Sequence, residues 1–186
     1  MAKTRTPRES WVEAGLEALA AGGPDAVRVE ALAKALGVTK GGFYWHFDDR
    51  GALLDEILDV WERTSVDDVV ERVDAEGGDP AARFDKLIEL GTRHPEILRT
   101  DLAVRDWARR DTTVAARLRA LDNRRMDYMR DIFYGLCGDS DEAEVRALIV
   151  FSLWIGGNFI AADHGERTRE QVIEMALERL RRPAVL

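Results

Sequence analysis

The stretch Val38-Thr39-Lys40-Gly41-Gly42-Phe43-Tyr44-Trp45-His46-Phe47 decides the fold. It follows a short amphipathic run, Val29 to Leu36, that stops at Gly37, a residue able to take the left-handed backbone that ends a helix. Thr39 then stands where a side-chain oxygen caps a second short helix, so the segment reads as helix, tight turn, helix. That second helix has an unusual surface. Gly41 and Gly42 fall in its first turn, where each costs about 1 kcal/mol relative to alanine, and they strip side chains from a place where another surface can approach the backbone. Lys40, Tyr44, Trp45 and His46 are polar-tipped groups suited to phosphates and base edges. Phe43 and Phe47, four residues apart, share the opposite face and anchor it in a core.

Working outward, Met1 to Arg5 reads as a basic arm carrying Lys3 and Arg5. Thr6-Pro7-Arg8-Glu9 has the pattern of a capping box with proline at the first helical position, predicting a helix over about 7–21 that Gly22-Gly23-Pro24 stops. Val29, Leu32, Ala33 and Leu36 give the i, i+3, i+4, i+7 stripe of a second helix; the third covers about 39–46. Asp49 caps a long helix, about 50–74, with Leu53, Leu54, Ile57, Leu58 and Trp61 and then Val66, Val69, Val70 and Val73 along it. Asp79-Pro80 repeats the cap-and-proline start, and His94-Pro95 interrupts, because a residue before proline avoids the helical region. Further apolar runs extend to Gly138. Val145 to Ala162 is the most apolar stretch, and Thr168-Arg169-Glu170-Gln171 is a second capping box. No strand-like alternation competes anywhere, so the expectation is an all-α fold of about nine helices.

The chain has 186 residues, 46% hydrophobic and 33% charged, the composition of a folded soluble protein. With Cys137 as its one cysteine it has no internal disulfide, and neither a signal peptide nor an apolar run of membrane-spanning length is present, so a cytoplasmic location and no membrane partner are expected. The net charge of −8 weighs against nucleic acid. Its distribution weighs less. Lys3, Arg5, Arg8, Arg28, Lys34, Lys40 and Arg50 balance Glu9, Glu13, Glu17, Asp25, Glu30, Asp48 and Asp49, so the first fifty residues are formally neutral and the deficit lies in the remainder. Phosphate neutralisation is local, and a few cations on one face suffice for it.

The run Leu36-Gly37-Val38-Thr39-Lys40-Gly41-Gly42-Phe43-Tyr44-Trp45-His46-Phe47, followed by Asp49-Arg50 and Ala52-Leu53-Leu54, resembles the DNA-binding signature of the tetracycline-repressor (TetR) family, with the motif match covering about residues 6–60. The resemblance implies a three-helix helix-turn-helix DNA-binding head, residues 1–48, and a helical effector-binding and dimerisation domain, residues 49–186. It implies that Thr39, Tyr44, His46 and Arg50 hold phosphates while Lys40, Gly41, Gly42 and Trp45 face base edges. Arg28 stands where the family usually has a Ser or Thr cap; it can hold a phosphate but cannot cap the helix. One head reads too few base pairs, so two-fold symmetric half-sites and a homodimer follow. The resemblance places that dimer on the last two helices, where Ser152, Gly156 and Gly157 permit close approach. It also implies a cavity for a small apolar or amphipathic effector, with Trp61, Phe84, Ile88, Leu98, Trp107, Met126, Met129, Phe133, Phe151, Trp154 and Asn158 as candidate lining. The expected function is a transcriptional regulator, a repressor released from a palindromic operator by its effector.

An enzyme is not expected. His46, His94 and His164 are far apart with no metal-ligand spacing, so no metal site or cofactor is assigned, and Cys137 reads as a small buried apolar residue. Arg105, Asp106, Arg109, Arg110 and Asp111 around Trp107 read as a solvated, ion-paired face. The competing function is a helical protein-interaction module, or an effector-independent regulator, that retains the repressor-like head.

Overall fold

A computed structural model describes residues 6–182, and these are helical almost throughout; the nearest approach to a strand among them is an isolated bridge between His164 and Arg167. Among the described residues nine α-helices follow in order: α1 (Arg8–Gly22), α2 (Val29–Ala35), α3 (Arg50–Glu62), α4 (Asp68–Glu76), α5 (Pro80–Arg93), α6 (Pro95–Ala108), α7 (Thr112–Cys137), α8 (Ser140–Gly156) and α9 (Arg169–Arg181). The basic arm of Lys3 and Arg5 lies outside the described residues. The chain divides into two compact units, the first of residues 1–68 and 93–121, the second of 69–92 and 122–186.

The first unit contains the head. Buried Trp11, Val12, Gly15 and Leu19 form the inner face of α1, and α1 lies so close to α3 that a Cβ on Gly15 would come within 2.5 Å of Ile57 Cδ1. Leu53, Leu54, Ile57, Leu58 and Trp61 line the buried face of α3, the periodicity expected of them. The expected capping box at Thr6 is not formed. Pro7 occupies the cap position, no side chain caps α1, and the Thr6 carbonyl instead accepts from His46 Nε2 at 2.9 Å. Asp49 does cap α3, accepting from the Ala52 N–H at 2.8 Å.

The long helix expected over 50–74 is two α-helices joined by a π turn, Arg63–Asp67. Within that turn the Thr64 hydroxyl donates to the Val60 carbonyl at 2.9 Å, a back-bond of the kind that competes with the helical ladder. Ser65 is buried there and its hydroxyl has no hydrogen-bond partner.

The second unit is built on Phe84, Met129, Ile132, Phe133, Ala143, Ala147 and Val150. Asp79 and Asp139 cap α5 and α8, and Thr168 with Gln171 forms the expected capping box of α9. Arg146, only 6% exposed, pairs with Glu142 and donates to the carbonyls of Leu180 and Arg182, pinning the end of α9. The apolar stretch expected to run on to Ala162 stops being helical at Gly156. There Asn158 Nδ2 donates to the Trp154 carbonyl at 2.8 Å, and Arg169 donates to the carbonyls of Gly157 and Ile160, in the segment just after the helix.

Candidate nucleic-acid interface

Gly37 has a φ of 67°, ending α2 in the left-handed conformation. Thr39 turns the chain with an extended backbone, but its hydroxyl makes no capping bond; the next turn closes through the Gly42 N–H to the Thr39 carbonyl at 2.9 Å. What was expected as an α-helix over 39–46 is therefore a 3₁₀ helix, Lys40–Trp45. Two consecutive glycines weaken α-propensity where it would have to nucleate, and the tighter i to i+3 bonds take over.

The inner side of this 3₁₀ segment is aromatic. Phe43 is fully buried, meets Trp11 edge-on at 5.4 Å and stacks on Phe47 at 5.2 Å. Arg8 lies over the Phe47 ring, donates to the His46 carbonyl and pairs with Glu56 of α3. The element is thus clamped to α1 and α3 from behind. Its outer side is open: Tyr44 is 54% and Trp45 73% exposed, which removes the possibility that both are buried against α1.

The glycines are the informative residues. Neither Gly41 nor Gly42 has a positive φ. A Cβ on Gly41 would find its nearest neighbour, Thr39 Oγ1, at 3.9 Å, and one on Gly42 would meet Trp11 Cζ2 at 3.8 Å, ordinary van der Waals contact in both cases. Nothing among the described residues requires glycine at either position, unlike Gly15.

The cations are placed as follows. Lys40 is ion-paired with Glu30 of α2; the shared hydrogen bond raises the Lys40 ammonium above its ordinary pKa and holds the Glu30 carboxyl below its own. Glu30 was not anticipated, because ten residues across a turn leave no periodic signal. Arg50 donates to the carbonyls of Val27 and Pro24, bracing the loop before α2. Arg28 is exposed at the uncapped start of α2, and His46 is half-buried.

The eleven effector-contact candidates fall in both units. Trp61, Leu98 and Trp107 lie in the first, and Phe84, Ile88, Met126, Met129, Phe133, Phe151, Trp154 and Asn158 in the second. Phe84, Met129 and Phe133 are core, with Ile88, Met126 and Phe151 packed against them. Asn158 is exposed beyond the end of α8 rather than within an apolar helix. Trp154 Nε1 is buried without a hydrogen-bond partner. Within the first unit a wide-mouthed cavity of about 360 Å³ lies between the end of α1 and α6, lined by Gly22, Pro24, Arg99, Leu102, Asp106 and Arg110 among others. None of the eleven lines it. No group of three or more potential metal-ligating side chains occurs among the described residues.

The described residues are helical, with an amino-terminal helix-turn-helix that is clamped from behind and open in front. Residues 12–57 match the family described as bacterial regulatory proteins, tetR family, and constitute a TetR-family domain. Solved structures extend the likeness over the whole fold. A transcriptional regulator from Rhodococcus sp. Rha1 is 20% identical with a TM-score of 0.71, covering 95% of this chain and 94% of that one. AibR, solved with isovaleryl coenzyme A and operator DNA, is 19% identical with a TM-score of 0.69, covering 95% and 99%. The ketosteroid transcriptional regulator KstR2 of Mycobacterium tuberculosis is 17% identical with a TM-score of 0.66, covering 96% and 95%. No curated protein matches the sequence significantly.

Proposed function

We propose that this chain is a transcriptional repressor that binds a palindromic operator as a homodimer and is released by a small-molecule effector. The observation carrying the DNA reading is the bare strip at Gly41 and Gly42: two helix-weakening residues whose missing side chains neither the backbone nor the core requires, between Lys40 and the exposed Tyr44 and Trp45. Absence of side chains there favours a partner that must approach the backbone closely, and duplex DNA in the major groove is such a partner. Thr39, Tyr44, His46, Arg28 and Arg50 are assigned to phosphates and Lys40, Gly41, Gly42 and Trp45 to base edges. The functional division falls at 48/49. The effector reading draws on AibR, whose structure holds a coenzyme A thioester together with operator DNA.

The homodimer reading draws on α8 and the segment after it, where Val145, Leu148, Ile149, Phe159 and Ile160 are exposed. Apolar surface of this extent on helices already folded is suited to a second copy.

Selection from a random duplex pool tests the DNA reading. The expected product is an inverted repeat with half-sites spaced by helical turns, bound by the parent chain and lost in Gly41→Leu, whose thermal midpoint does not fall below that of the parent. Recovery of no preferred sequence, with affinity indifferent to salt, would overturn it. That result would favour the second reading, a protein-interaction module, for which the specific observation is that Arg8, Lys40 and Arg50 all have partners inside the first unit.

A further inference from the structure

Lys40 stands at the start of the segment assigned to base edges, and its ammonium is already paired with Glu30 of α2. Both side chains remain open to solvent, 48% and 67% exposed, so the pair adds little to folding. Its consequence lies at the surface. A carboxylate brought up to duplex DNA repels phosphates within a Debye length of about 8 Å, and it does so unless a cation stays with it.

The two kinds of acceptor on a duplex make different demands on this pair. If Lys40 leaves Glu30 for a phosphate, it abandons a carboxylate beside the polyanion. Guanine O6 and N7 are neutral, and an ammonium has three N–H donors, so Lys40 can donate to a guanine while keeping its carboxylate partner. The hydrogen bond between them also keeps both groups ionised, raising the Lys40 pKa and lowering that of Glu30.

We propose that Glu30 is a positioning residue for sequence discrimination, withholding Lys40 from phosphates while leaving it able to donate to guanine. The inference rests on the DNA reading of residues 36–47. On unrelated duplex the Glu30–Lys40 pair is electrically silent, and on the correct sequence it becomes a base contact. Discrimination is gained by suppressing the wrong contact as well as by making the right one.

The test uses the full chain, the duplex obtained from the random pool and a scrambled duplex of equal length and composition. Four proteins are titrated over a range of salt: the parent, Glu30→Gln, Lys40→Met and the double variant. With its carboxylate removed, Glu30→Gln should bind the scrambled duplex roughly 3–10-fold more tightly, with a salt slope steeper by about 0.9, the increment of one neutralised phosphate. The selected duplex should gain less, so the ratio of affinities falls. In the double variant the scrambled-duplex slope should return to that of the parent, while affinity for the selected duplex stays on the order of tenfold weaker for want of the guanine contact. Equal melting temperatures for the four proteins separate these effects from folding. A Glu30→Gln slope equal to the parent's would overturn the proposal, as would a double-variant slope shallower than the parent's by about 0.9, since Lys40 would then be neutralising a phosphate despite Glu30. Failure of the parent to bind any duplex in a salt-dependent way would instead remove the DNA reading, and this proposal with it.

Discussion

Single residues carry opposite meanings in this chain even when they are the same amino acid. Gly15 is a packing glycine: a Cβ there would come 2.5 Å from Cδ1 and 3.2 Å from Cγ1 of Ile57, itself fully buried. Gly15→Val should therefore destabilise the chain by about 1–3 kcal/mol through overpacking, measured as a lower midpoint in chemical denaturation. Helix α1 is held to the 3₁₀ segment through Trp11 against Phe43 and Arg8 on the His46 carbonyl, and to α3 through Arg8 against Glu56, so on the proposed DNA reading the same variant should weaken duplex binding indirectly. Gly15 was not legible as a contact from sequence, where Trp11, Leu16 and Leu19 suggest an ordinary apolar stripe. A helix that must come close to another marks the place with a missing side chain, which a count of apolar residues passes over.

Elements were legible where a side chain terminates them locally. Asp49, Asp79, Asp139 and Thr168 each cap the helix that follows, as their position before a helical pattern implies. Of the boundaries that sequence missed, the one at Thr6 depends on a distant partner, His46, which takes its carbonyl, whereas the 3₁₀ segment is set by its own glycines and the π turn after Glu62 by the bond of Thr64 back to Val60. Helix α4 shows how such remote ties hold an element. Asp74 accepts from the Tyr128 hydroxyl at 2.8 Å and from Arg83 at 3.3 Å, while Arg83 also reaches Asp131 and lies over the Tyr128 ring. Burial, and next the hydrogen bond to Asp74, pushes the Tyr128 phenol up to about 12. Because the folded state holds this proton more tightly than the unfolded chain, the associated stability is fully present below pH 10 and is lost as pH rises towards 12. Tyr128→Phe should cost about 1 kcal/mol or less at neutral pH. Urea denaturation of parent and variant should give a difference that is constant below pH 10 and shrinks above it.

For the whole molecule the all-helical class was legible because no alternation of period two competes with the helical stripes, whereas the division into units was not. The first unit takes α6 and the start of α7 along with the head, the second takes most of α4 and α5, an interleaving invisible to any boundary drawn along the chain. Of the candidate interface, the string from Gly37 to Phe47 was readable from residue types alone; Glu30 was not, because its relation to Lys40 exists only in three dimensions. The proposed assembly makes a prediction at this scale. Leu148 and Ile149 are 54% and 41% exposed on α8, so Leu148→Glu should leave helix content unchanged yet convert a dimer into a monomer in sedimentation equilibrium. Such a monomer should also lose affinity for a two-half-site duplex by far more than for a single half-site. A parent chain that sediments as a monomer at micromolar concentration would refute the assembly.

The uncovered backbone at Gly41 and Gly42 has a corollary for anyone selecting variants of this protein. Those positions tolerate a methyl group without internal conflict and would gain helix propensity from it, so heat challenge or expression level, used as the only criterion, would enrich alanine there. On the proposed DNA reading, such a screen would return a sturdier chain with weakened duplex binding, and no assay of foldedness would register the loss.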